Sequence, residues 1–232
     1  MTEPKLLYES LDLDVFNLSI NEKTKLSFKW WTFITWLLAF LVPEVVGIIL
    51  AYTLERFQLI QEYALISEWS AMSAGTFGFI YLISRYTGIG ISNVVYKPIG
   101  TIKSVHVLLL GLLAIIPLSY LSNSFSFPLL SVGYFIKNNS LLAFPFEAMY
   151  YFSEIVVVTY IYIMATKGWT WRRGVFTSGT IAVILGWAIL HAITKDVFTT
   201  VIAIVAVILF YIFYEYSKSP IAPIILWFAF LI

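Results

Sequence analysis

The sequence predicts an all-α fold, a polytopic transmembrane helical bundle of seven to eight membrane segments. Three observations lead there. The 232-residue chain is 60% hydrophobic with a mean hydropathy of +0.89, a composition that soluble domains of this size rarely show. Several apolar runs approach or exceed the roughly 20 residues needed to cross a bilayer. Within such runs every backbone group must be satisfied inside its own segment, which selects helices.

Composition also excludes several function classes. A net charge of +1 gives nucleic acid nothing to bind, so no nucleic-acid partner is expected. The chain has no cysteine, which removes disulfides, thiolate metal sites, covalent haem attachment and cysteine nucleophiles. No cleavable signal peptide is expected at the start, because no basic patch leads into an apolar core there.

Residues 1–28 form a polar, interfacial N-terminal segment. It carries Glu3, Glu9, Asp12, Asp14 and Glu22 against Lys5, Lys23 and Lys25. Residues 29–232 form a single transmembrane helical domain. Its first span runs from about Trp30 to Thr53, anchored at the interface by Lys29, Trp30 and Trp31 and interrupted by Pro43 and Glu44. The second runs from about Glu68 to Gly88, and its Ser70, Ala71, Ser73, Ala74, Gly75 and Gly78 make a face suited to close helix packing. The third runs from about Ser104 to Leu121, with His106 as an interfacial imidazole in its first turn.

Phe127 to Ile136 is apolar but too short to cross, and reads as re-entrant or interfacial. The later spans are Leu141 to Thr166, Gly174 to Thr194, Val197 to Tyr214 and the short Ser219 to Ile232. With seven crossings and the N-terminus inside, Lys23, Lys25, Lys29, Arg85, Lys97, Lys103, Lys167, Arg172, Arg173 and Lys218 all fall on the cytoplasmic side, as the positive-inside bias requires.

The candidate site lies between Glu147 and His191. Glu147 and Glu154 lie seven apart, which puts them on one helix face. A basic turn with Arg172 and Arg173 follows, and a second apolar helix ends in Trp187-Ala-Ile-Leu-His191. If the two helices pair as a tight antiparallel hairpin, Glu147, Glu154 and His191 fall toward the same membrane side. Ionisable side chains in lipid-length helices are expensive and mark functional positions, so all three are expected to face the bundle interior.

From about residue 141 to 232 this order of motifs resembles the CAAX protease and bacteriocin-processing family of intramembrane proteases. Arg172-Arg173 falls where that family has a basic turn. Trp187 to His191 resembles its Phe-x-x-x-His. Tyr211-Ile-Phe-Tyr214 and Lys218-Ser-Pro-Ile-Ala-Pro223 resemble the approach to its last motif. The resemblance implies an intramembrane endopeptidase in which Glu154, His191 and Glu147 are the catalytic candidates, a glutamate serving as general base.

The chain departs from the pattern at five places, one of them the spacing: Glu154 sits about one helical turn further upstream of His191 than the family motif would. Ile155 stands where the family has a second Glu, no Arg follows in that helix, and the final motif's His and Asn fall on Trp227 and Leu231. Peptidase activity is therefore expected to be reduced or absent. No H-E-x-x-H helix is present, and neither a metal nor another cofactor is expected. The expected partners are the lipid bilayer and membrane-protein or peptide partners, and the expected location is the plasma membrane. A non-catalytic subunit of a larger membrane complex is a second reading. A transporter is a third, with Pro43-Glu44 and the short apolar segment as broken helices.

Overall fold

The computed structural model describes residues 22–56, 61–87, 102–122, 141–173, 176–189, 192, 197–217 and 221–231. Among the described residues the fold is all-α apart from one two-stranded hairpin of two residues per strand. The short segment Phe127 to Ile136 and His191 lie outside the described residues, as does the side chain of Glu44.

One helix organises the bundle. Helix α5, Phe144–Gly168 (numbering in chain order as below), is buried from Ile155 to Ala165 with no exposed side. Its Ile155-Val-Val-Val-Thr159 run is β-branched and would favour a strand on a half-buried sheet. Apolar surroundings on every side reverse that preference, because only a helix closes its own hydrogen bonds. Pro145 sits in the first turn, where its missing N–H costs nothing.

Among the described residues five helices border it. Helix α1, Glu22–Trp36, continues through a π-turn at Leu37–Leu41 into α2, Val42–Arg56. The wider turn falls immediately before Pro43, whose ring would otherwise press on the carbonyl of residue 39. The expected interruption at Pro43 is thus a change of winding inside one continuous helix. Its first half packs on α5 and its second half on α3, Gln61–Thr87. Gly75 of α3 meets the Pro43 ring, where a Cβ would lie 3.4 Å away. Gly78 of the same predicted small-residue face has open space beside it.

The chain returns from α5 through β1, Arg172–Arg173, and β2, Phe176–Thr177, into α6, Ser178–Val183, which runs on as a π-turn at Ile184–Ala188. A capping box starts α6: the Thr180 amide donates to Thr177 Oγ1 at 3.1 Å, and the Thr180 hydroxyl accepts from the Thr177 amide. Helix α4, Ile102–Ser122, carries the exposed His106 in its first turn. It packs with α7, Val197–Ser217, and α8, Ile221–Leu231, and α8 also touches α5. Among the described residues, Phe144–Gly168 and Val197–Glu215 are long and apolar enough to cross a membrane.

Gly179 sets the approach of α6 to α5. A Cβ there would stand 2.5 Å from the Tyr162 carbonyl oxygen and would collide with Thr166 Oγ1. Gly179→Ala should therefore destabilise the fold by about 1–3 kcal/mol, the cost of overpacking against backbone. Gly78→Ala meets nothing and should be neutral or stabilising by up to about 1 kcal/mol through helix propensity. Unfolding of the two variants side by side in the same detergent checks the contrast.

Candidate functional site

The hairpin of α5 and α6 brings Glu154 against the second helix as the sequence spacing suggests. Trp187 Nε1 donates a hydrogen bond to Glu154 Oε1 at 2.6 Å. Glu154 is partly buried and Trp187 is buried. A carboxylate in such a place must be hydrogen-bonded, because leaving it bare would cost several kcal/mol.

A second indole is close by. The indole of Trp227 meets that of Trp187 edge-on, with ring centroids 4.4 Å apart and planes at 75°. Trp227 is fully buried and also packs on Phe210 at 4.5 Å. Among the described residues its Nε1 has no hydrogen-bond partner, and it offers only a donor. Glu154, Trp187 and Trp227 thus come from α5, the π-turn after α6, and α8 to form one cluster. Glu147 lies two turns before Glu154, partly buried, with the Tyr151 side chain as its hydrogen-bond neighbour. His191 lies outside the described residues. Among the described residues, no three His, Asp or Glu side chains converge as metal ligands would.

A second polar cluster was not anticipated from the sequence. Tyr162 donates to Glu215 Oε1 at 2.7 Å, and Arg172 Nη2 donates to Glu215 Oε2 at 2.9 Å. Tyr162 stacks on Tyr211 with centroids 3.8 Å apart and planes at 4°. Tyr214 meets Tyr162 edge-on at 5.1 Å. Glu215 thereby joins the end of α7 to the end of α5 and to the basic hairpin. The signal was present in Tyr211-Ile-Phe-Tyr214-Glu215. The two tyrosines three apart share a helix face, and a lone acid closes a long apolar run.

Several contacts place basic residues at this same end of the bundle. The Lys29 amide nitrogen would lie 3.0 Å from a Cβ on Gly168, so the middle of α1 abuts the end of α5. Trp31 stacks on Tyr86 at 5.7 Å, which brings the end of α3 and Arg85 alongside. Lys167, Arg172 and Arg173 complete the group.

Comparison with protein-family models, with curated proteins and with solved structures gave no match.

The two clusters should respond differently to substitution. Trp187→Phe removes a donor from a partly buried carboxylate and should cost about 1.5–3 kcal/mol. Glu154→Gln keeps an acceptor and should cost less. In the second cluster Glu215→Ala strips a partner from the buried Tyr162 and should cost about 1–3 kcal/mol. Arg172→Ala removes only the more exposed member, whose side chain is 34% accessible, and should cost at most about 1 kcal/mol. Denaturant unfolding of the four variants in one detergent gives the ranking.

Proposed function

We propose that the chain is a multi-pass integral membrane protein of the plasma membrane with seven to eight membrane segments. In this reading it is a divergent relative of the CAAX protease and bacteriocin-processing family that binds or scaffolds and does not cleave peptides. One observation carries the reading. Glu154, Trp187 and Trp227, the positions that the resemblance aligns with the family's glutamate, its Phe-x-x-x-His phenylalanine and its last histidine, meet in one cluster.

The chemistry of that cluster is structural. Hydrolysis needs a base beside a water and a partner for the developing oxyanion. Trp187 supplies a donor to Glu154 but can neither accept a proton nor pass one on. Trp227 fills the volume beside it with an aromatic ring. Loss of one donor to a developing oxyanion typically costs about 10²–10³ in rate, and here the residue that would carry that role is an indole packed into the core.

The collection of Lys29, Arg85, Lys167, Arg172 and Arg173 at one end of the bundle supports an orientation with that end in the cytoplasm. The absence of cysteine makes the orientation directly measurable. A single cysteine at Arg173 should be labelled by a membrane-impermeant maleimide only after permeabilisation. One at Glu62, near the start of α3, should be labelled in intact cells. The reverse pattern sinks the orientation.

Activity is tested on purified full chain in lipid with a prenylated CAAX-type peptide as substrate, comparing wild type with Glu154→Ala and His191→Ala. No turnover is expected from any of the three. Turnover in the wild type that both substitutions abolish would make the protein a working protease and overturn the reading.

A further inference from the structure

A groove of about 230 Å³ opens on the flank of the bundle between α1, α5 and the α6 segment. Thr32, Phe33 and Trp36 form one wall, Ala182, Leu185 and Gly186 the other, Ile161 the floor, and Trp169 the upper end. Two polar side chains along it are already engaged. Thr32 donates to the Phe28 carbonyl at 2.7 Å, and the Trp36 indole donates to the Gly186 carbonyl, which closes the lower end. What remains is an apolar trough whose rims, Phe33 and Leu185, are more than half exposed.

The charge above the trough differs from its lining. Lys29 lies three and four residues before Thr32 and Phe33, on the same face of α1 and toward the basic end. Its backbone touches Gly168, the residue before Trp169. Arg173 stands exposed in the hairpin that leads from Trp169 to the opposite wall. Trp30 and Trp171 are exposed at the same level, at 63% and 50%. A narrow apolar trough under two cations and a row of indoles matches one chemistry: an acyl chain below a phosphate. Indoles settle at the headgroup level, and cations near a membrane surface attract anionic lipids.

We propose that this groove is a binding site for an anionic phospholipid, with one acyl chain between α1 and α6 and the headgroup phosphate held by Lys29 and Arg173. Neither cation belongs to the Glu154 or Glu215 clusters, so the site stands apart from the peptidase question. A zwitterionic phospholipid would fill the trough equally well, but its own headgroup ammonium competes with the two cations for the phosphate, so the pair favours a lipid of net negative charge. The basic end is also where the orientation above places the cytoplasmic leaflet, the leaflet richer in anionic lipid.

The test is lipid retention by the full chain. Protein is purified from vesicles holding equal amounts of phosphatidylglycerol and phosphatidylcholine, and bound lipid is read by native mass spectrometry. Each cation near the surface favours an anionic lipid by about five-fold. The wild type should therefore retain phosphatidylglycerol over phosphatidylcholine by at least about five-fold. Lys29→Gln with Arg173→Gln should bring the ratio near one. Ala182→Phe, which fills the trough from its partly exposed wall, should lower retention of both lipids, with helicity by circular dichroism unchanged. Equal retention of the two lipids by wild type overturns the proposal. So does a preference that survives the double substitution, or retention that survives Ala182→Phe in a folded protein.

Discussion

The constraint on which the rest of the bundle depends is the all-round burial of α5. From Ile155 to Ala165 each side chain of that helix lies within the protein. A helix with apolar neighbours on every side has no amphipathic stripe to orient it. Its rotation and depth must then be fixed by shape and by the few polar groups it carries. Shape acts where backbones approach most closely, at Gly179 against Tyr162 and at Gly168 against Phe28 and Lys29. Polarity acts at Glu154 and at Tyr162, two turns apart and each tied to a different partner helix.

Those polar ties are determinants because their buried members, Trp187 and Tyr162, have little access to water. An unpaired polar group in such an interior costs about 1–3 kcal/mol, more when it is charged. Sliding α6 along α5 by one turn would separate Trp187 from Glu154. Sliding α7 would separate Glu215 from both Tyr162 and Arg172. Each misplacement would cost a carboxylate one of its hydrogen bonds. The π-turns belong to the same account. A π-turn leaves backbone groups outside the regular pattern, and the Gly186 carbonyl in the turn at Ile184–Ala188 accepts from the Trp36 indole.

Much of this arrangement was legible in the sequence. Apolar run lengths located α4, α5 and α7 within about three residues, but α1 begins at Glu22 and α3 at Gln61, seven or eight residues ahead of the expected spans, because polar residues extend those helices past their apolar runs. The interior position of Glu154 followed from the cost of exposing it to lipid. Its partner did not follow, because many side chains can donate to a carboxylate and the choice depends on how far α6 slides along α5. Helix spacing also could not show that Trp227 would close on Trp187, a contact made across forty residues of chain. Glu215 was passed over because a lone acid at a helix end reads as solvated, and only the hairpin's return brings Arg172 back to it. Pro43 marks an interruption of the first span in the sequence, either a kink or a boundary between two half-spans. The structure carries it inside a continuous helix by widening the turn before it.

The hairpin at Arg172–Thr177 links these levels. Its two-residue strands are too short to be stable alone, so it holds its place through its ends. The Thr177 capping box fixes where α6 begins, and the Ser178 hydroxyl donates to the Trp169 and Ala165 carbonyls at the end of α5. Arg172 fastens the first strand to α7 through Glu215. With Arg172 drawn inward, its strand neighbour Arg173 projects the other way, because successive side chains of a strand point to opposite faces. The same register that satisfies the buried glutamate therefore presents a cation and the flanking Trp171 outward at the basic end of the bundle.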